Sequence, residues 1–395
     1  MTLPLRIAFV APFGLGQKTT VWARTLPLAR YLADQGHKVT ILIPPWDTPQ
    51  DAGRQWIDDG VELINVALGG GTLMIVARLL RLIDALQPDI VHIIKPRAHA
   101  GLVQWWLWQR RKLHKRRKLH KNGPRILLDI DDWEQSWSDI NAYARPLARF
   151  LAWQEEWGIR HADGITAASQ WLVERAQQYA SQTPVLYLPN GVAWTNLPVT
   201  RTPTQSTHAQ ILFFTRFVEV EPAWLADFWH TLQAQLPNAH LLIAGEAFQP
   251  GREELYKQQI RHTTAPDQVE WLGYVDPAAV YARANCAIFP AMNVPLLQAK
   301  CSVKLATTLL NGVPVIASAV GEQAAYGANG AAWLIAADAT PVTFARAVVE
   351  LLQQPAQQQI MIEQAHNQLG AHYQWSTLGQ QLAQFYSQFT GSTPQ

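Results

Sequence analysis

The stretch KCSVKLATTLLNGVPVIASAVGE, residues 300–322, compresses a helix start, a short apolar strand and a glycine turn into 23 residues. The run VPVIAS (313–318) is continuously apolar rather than alternating, the pattern of a strand covered on both faces in a parallel α/β sheet. Ser302 suits a helix N-cap. Lys304 then falls in the first helical turn, where the helix dipole disfavours a cation unless an anion neutralises it. That local conflict points to function.

Working outward, the same rhythm runs through the second half of the chain: ILFFTR (211–216), AHLLIAG (239–245), QVEWLG (268–273) and CAIFP (286–290), with helical patterns between them. The first half has it too, in LRIAFVAP (5–12), KVTILIPP (38–45), VELINVAL (61–68), DIVHIIKP (89–96) and RILLDID (125–131). A helical pattern, TTVWARTLPLARYLADQG (19–36), closes with a glycine suited to a helix C-terminus. The Pro- and Thr-rich stretch LPVTRTPTQSTHAQ (197–210) reads as a linker. We therefore expect an α/β chain of two Rossmann-like, doubly wound parallel-sheet domains, 1–196 and 208–372, facing each other across an interdomain cleft. Ligands are expected at the carboxyl ends of the strands. The segment 373–395, with its helical TLGQQLAQFYSQF (377–389), is expected to pack back on the first domain.

Composition agrees: 395 residues with 48% hydrophobic content favour two domains over one. Two cysteines are too few for a disulfide framework and point to a reducing compartment. There is no 18-residue apolar run, and the start MTLPLRIAFVAPFGLG lacks a signal-peptide pattern, so a cytoplasmic protein is expected. Peripheral attachment at the inner face of a membrane stays open. The formal net charge of +2 rests on the tandem repeat RRKLHKRRKLHK (110–121): nine of the 32 Lys and Arg lie between Arg110 and Arg125 with no acid among them. Such a block fits nucleic acid, an anionic membrane or a solvated helix face. No recognised nucleic-acid module surrounds it, so a nucleic-acid partner is not expected. His92, His99, His114 and His120 lack ligand spacing with acids, and no metal site is expected.

Two further places could hold an anion. In APFGLGQKTT (11–20), Gly14 and Gly16 permit close backbone approach ahead of a helix start, or merely turn a strand into a helix. Arg216, just past a strand end, could grip phosphate oxygens bidentately or pair with Glu219 or Glu221.

These residues, together with ADGITAASQWLVE (162–174), LPNGV (188–192), FFTR (213–216), LLIAGE (241–246), VEWLGYV (269–275), AIFP (287–290) and NGVPVIASAVGE (311–322), make the chain resemble the GT-B glycosyltransferases of the retaining family 4, or group 1, type. The resemblance spans residues 5 to about 390. It implies a glycosyltransferase of hexosyltransferase type that moves a sugar from a nucleoside-diphosphate sugar to a hydroxyl acceptor with retention, using neither metal nor cofactor beyond the donor. It also implies roles: Gly14, Gly16, Arg216 and Lys304 at the donor diphosphate, and Gly321 and Glu322 beside the nucleotide or sugar. Asp131 stands where many relatives carry a histidine that touches the transferred sugar. Asp131, Arg216 and Lys304 are the expected catalytic residues. For Asp129, Asp131 and Asp132, a polar strand end with a helix-capping task is the other reading.

The chain departs from the family pattern at two points. Glu221 and Pro222 occupy the window where a Lys usually follows the Arg, and Ala299 and Thr307 stand where paired glutamates are usual. Lys300 and Lys304 would supply the missing cation. In the family's first domain lie acceptor-binding and membrane-contacting surfaces. The resemblance thus implies that Trp105, Trp106, Arg110, Arg111, Lys112, Arg116, Arg117 and Lys118 face a lipid-linked acceptor or an anionic membrane. A solvated helix extension with its tryptophans on the sheet is the alternative. A catalytically silent partner subunit and a sugar-nucleotide epimerase of the same fold are the remaining functional readings.

Overall fold

The computed structural model describes residues 4–16, 20–116, 123–195 and 208–390, with the backbone alone for 114–116 and 139. Most of the linker stretch, residues 17–19 of the glycine loop, and Arg117 and Lys118 of the basic block lie outside the described residues. So does the side chain of Arg116.

The chain forms two compact units, Met1–Gly191 with Trp375–Gln395, and Val192–Gln374. Eight strands build the first: β1 (Arg6–Val10), β2 (Lys38–Ile43), β3 (Gln55–Asp58), β4 (Val61–Asn65), β5 (Ile90–Ile94), β6 (Arg125–Ile130), β7 (Gly164–Ala167) and β8 (Val185–Tyr187). They lie in the order β3-β4-β2-β1-β5-β6-β7-β8, parallel except for the edge pair β3 and β4. The second unit has β9 (Gln210–Phe214), β10 (His240–Ala244), β11 (Val269–Gly273), β12 (Cys286–Phe289), β13 (Val315–Ser318) and β14 (Trp333–Ile335), all parallel in the order β11-β10-β9-β12-β13-β14. The continuously apolar runs became central strands: β5 and β12 are buried at every position. Helices cover both faces, as such runs require.

In each sheet the strand order reverses once, between β1 and β5 and between β9 and β12. In an open α/β sheet this reversal splays the connecting helices apart and leaves a crevice at the carboxyl ends of those strands. The first core gathers Phe9, Leu32, Ile41 and Ile90 with Leu378, Leu382, Phe385 and Tyr386 of the last helix, Trp375–Thr390. The second is built on Phe213, Trp229, Ile243, Ile288 and Phe344.

The helix read over 19–36 is not uniform. It starts as a wide π turn, Val21–Thr25, and becomes α-helical at Leu26–Asp34. Pro27 sits at the junction and has no N–H to give to the preceding turn, which explains the widened register. Gly36, at φ 84°, closes the helix in the left-handed conformation, as its type allows.

Candidate active site

In the second unit the crevice between β9 and β12 holds a cluster of charge. A pocket there is lined by Phe214, Glu219, Phe289, Lys300, Ser302 and Lys304, among others. Glu219 organises its floor. One carboxylate oxygen accepts from Thr215 Oγ1 (2.9 Å) and from the amides of Arg216 (3.0 Å) and Val218 (3.1 Å); the other takes Lys300 Nζ at 3.0 Å. Burial alone would raise its pKa, but Lys300, these hydrogen bonds and Lys304 outweigh that and hold it down at about 2. It is therefore a fixed negative charge.

Lys304 is the opposite case. Its ammonium lies 5.5 Å from the centroid of the Phe214 ring and has no carboxylate within ion-pair distance among the described residues. Burial, then Lys300 as a like charge, draw its pKa down to about 8 against an upward pull from Glu219, with Arg216 adding a lesser downward push. The Arg216 guanidinium, 5.8 Å over Phe248, likewise has no carboxylate partner among the described residues. Glu219 is taken by Lys300 and Glu221 by Arg252 at 2.9 Å, so the ion pair that would have explained Arg216 is not formed. Three cations share one carboxylate.

Two details differ from the sequence reading. The helix begins at Lys304 with Val303 as its N-cap and no side-chain cap, so Ser302 is not the cap and lines the pocket instead. Gly321 (φ 50°) precedes the helix Glu322–Tyr326, and a Cβ there would lie 2.7 Å from the carbonyl oxygen of Gln298. Only glycine fits that backbone. Glu322 is buried, and its neighbour Gln323 lines the pocket.

In the first unit the corresponding strand ends hold acids. Lys95 follows β5 in a left-handed conformation (φ 59°), unusual for a side chain of its size. Its ammonium reaches Asp131 (3.0 Å), Asp132 (3.1 Å) and Glu134 (3.0 Å). Glu134 also pairs with Arg97, and the buried Glu155 accepts the amides of Glu134 (2.9 Å) and Gln135 (3.2 Å). Burial works against the Lys95 charge, yet the carboxylates win and its pKa stands well above the ordinary lysine value. Burial lifts Asp131 to about 6 despite Lys95. It lifts Glu155 to about 8, with Glu134 adding to the rise.

Asp131 also accepts Thr20 Oγ1 at 2.9 Å. Asp129 is clamped by Arg24 through Nε (2.9 Å) and Nη2 (2.7 Å), and by Thr166 (2.6 Å). Thr166 leads on to His92 and Tyr386, with burial dropping His92 to about 4 so that it stays neutral. Each of the three aspartates thus serves an ion pair rather than a helix cap.

Gly14 and Gly16 approach the chain's own loop. A Cβ on Gly14 would lie 2.2 Å from Thr48 Oγ1, one on Gly16 2.9 Å from Thr48 Cγ2, and the Gly14 amide donates to Asp47 at 2.6 Å.

The helix Ala98–Arg116 carries the tryptophans and the start of the basic block. Trp106 is exposed and Trp105 half-buried, while Trp108 packs on Trp157. Arg110 pairs with Asp84 (3.0 Å) and Arg111 with Asp163 (2.6 Å), so two of the expected membrane-facing cations are held by the unit itself. Lys112 stands 4.8 Å over Trp108. Among the described residues no helix is long and apolar enough to cross a membrane.

Sheets of this order with charged strand ends occur in nucleotide-binding α/β enzymes, and comparison with known proteins narrows the class. Residues 19–191 match the model of the glycosyl transferase 4-like domain, and residues 208–354 that of the glycosyl transferases group 1. Sucrose-phosphate synthase from Thermosynechococcus elongatus superposes with a TM-score of 0.72 at 16% identity, over 98% of this chain and 100% of that one. The catalytic domain of starch synthase IV from Arabidopsis thaliana, bound to ADP and acarbose, gives 0.69 at 14%, over 98% and 100%. HepE of Anabaena in complex with UDP-glucose gives 0.66 at 14%, over 97% and 100%. No curated protein matches by sequence. The chain belongs to the GT-B glycosyltransferases of group 1.

Proposed function

We propose that the chain is a retaining, metal-independent hexosyltransferase that takes a sugar from a nucleoside-diphosphate sugar and passes it to a hydroxyl acceptor, lipid-linked and presented at an anionic membrane surface. The observation that carries the donor side is the surplus of two positive charges in the second unit, where Arg216 and the half-desolvated Lys304 lack carboxylate partners. A diphosphate supplies the matching charge. The similar folds crystallised with ADP or UDP-glucose support the same donor class.

On this reading Arg216 and Lys304, with Lys300 behind them, neutralise charge as the diphosphate leaves, so no metal is needed for it. The donor phosphate takes the acceptor proton while the hydroxyl attacks from the same face, which preserves the anomeric configuration. Asp131 serves the sugar, accepting its hydroxyls or facing the developing oxocarbenium charge. Gly14 and Gly16 would let the first unit's loop approach the donor, and Glu322 would sit by the nucleotide or sugar.

Incubating the protein with UDP-, GDP- and ADP-sugars, with lipid-extract acceptors and with EDTA, tests this. The expected result is transfer with retained configuration, unchanged by EDTA and abolished in Arg216→Ala. Isomerised donor without acceptor would indicate the epimerase. No turnover of any donor would indicate a silent subunit.

A further inference from the structure

An exposed ladder of aromatic rings runs along the outer face of the helix Arg145–Arg160 in the first unit. Phe150 stacks on Trp153 (5.8 Å between centroids), Trp153 meets Trp157 (6.1 Å), and Trp157 meets Trp108 of the neighbouring helix (5.6 Å). Spacing of three and four residues puts Phe150, Trp153 and Trp157 on one helical face. Leu147, Phe150 and Trp153 are 46%, 41% and 44% exposed. So many large apolar groups side by side on a polar protein mark a contact surface.

The rim of the patch is cationic. Arg145 and Arg149, on the adjoining row of the same helix, are exposed and have no carboxylate within ion-pair distance among the described residues. Lys112, exposed, caps the other end over Trp108. The acids nearby are taken: Glu156 by Arg160 (3.4 Å) and Asp84 by Arg110. The ladder ends where the basic repeat of 110–121 begins. Aromatic rings with unpaired arginines, and no free acid between them among the described residues, complement the headgroup region of an anionic bilayer.

Orientation adds a reason for the placement. The helix Arg145–Arg160 links β6 to the parallel β7, so it runs antiparallel to them and its N-terminus lies at the edge holding Lys95 and Asp131. Arg97, which pairs with Glu134, bonds Tyr143 just ahead of that helix at 3.0 Å. The patch thus begins beside the acidic cluster.

We infer that the face formed by Leu147, Phe150, Trp153 and Trp157 with Arg145 and Arg149 docks on an anionic lipid bilayer. The inference rests on the reading of a membrane-presented acceptor and assigns that task chiefly to this helix, with the basic repeat as an auxiliary. Co-sedimentation of the full chain with phosphatidylcholine vesicles, with and without 30% phosphatidylglycerol, tests it. Binding is expected only with the anionic lipid. It should fall by about tenfold or more in Phe150→Ala/Trp153→Ala and again in Arg145→Glu/Arg149→Glu. In the wild type, brominated lipid should quench tryptophan emission, and Trp153→Phe should remove much of the quenching. The melting temperature and the response to nucleoside diphosphates show that each variant is folded. A chain that stays in the supernatant, or a ladder variant that sediments like wild type while deletion of 117–122 abolishes binding, overturns the proposal. So does a dimer in solution that the ladder variant dissociates. Loss of donor binding with vesicle binding intact would refute the transferase reading and leave this one standing.

Discussion

The two sheets reverse their strand order in the same way but carry opposite charge at neighbouring carboxyl-terminal strand ends. Where β9 and β12 part, Arg216, Lys300 and Lys304 face one carboxylate, Glu219. Around the ends of β5 and β6, Lys95 and Arg97 face Asp131, Asp132, Glu134 and Glu155. The second cluster is closed on itself, for its lysine touches three carboxylates. In the first, Arg216 and Lys304 have no carboxylate partner among the described residues.

The largest effect should come from opening the closed cluster. Lys95→Met leaves the buried Asp131 without its cation, while Glu134 keeps Arg97, and such unpaired charge costs about 3–5 kcal/mol. Urea denaturation should show that loss near neutral pH, with part recovered in weak acid as Asp131 takes up a proton. A small, pH-independent change would mean that the carboxylates are solvated and the contrast is false. In the open cluster the cost should fall on binding instead. Arg216→Ala or Lys304→Ala removes a charge-assisted contact worth about 1.5–3 kcal/mol, roughly tenfold to hundredfold in donor Kd. Free Lys304→Ala should melt no lower than wild type, since it sheds a desolvated charge.

Lys304 also sets a pH dependence. Its pKa of about 8 in the free protein means that it is charged below that pH and loses its proton above. Its desolvation lowers stability below about pH 8, and the cost fades as pH rises toward the ordinary lysine value. A bound diphosphate favours the charged form, so binding takes up a proton. Affinity should therefore weaken above pH 8 by up to about tenfold per unit, a slope that Lys304→Met flattens in calorimetric titrations. The smallest effect is expected at the rim of the closed cluster. The Asp132 side chain is 25% exposed against 4% for Glu134. Asp132→Asn should cost about 1 kcal/mol and Glu134→Gln clearly more, by thermal melts.

The sequence shows the long apolar strands and the restart of the pattern, because burial on both faces writes itself as uninterrupted hydrophobicity. It hides β3, the strand QWID, which lies antiparallel at an edge with Ile57 exposed and has no apolar run to betray it. The short strands β7, β8 and β14 escape for a similar reason, since three or four residues give too little pattern to count. Lys304 was legible as a conflict between a cation and its helix position. Glu219 was not, since an acid three residues after an arginine reads as that arginine's partner, whereas it holds a lysine 81 residues further on. Arg24 left a usable trace: it sits among Val21, Thr25 and Leu28 at helical spacing, a charge where the stripe should be apolar, and its buried clamp on Asp129 is the reason.

The central claim is that the open cationic cluster of the second unit grips a diphosphate. Isothermal titration of the wild type and Lys304→Ala with UDP, GDP and ADP, each alongside its nucleoside, measures this directly. The account predicts that one diphosphate binds at least about tenfold more tightly than its nucleoside, and that Lys304→Ala loses most of this gain. Equal binding of diphosphate and nucleoside, or a gain that survives in Lys304→Ala, would contradict it.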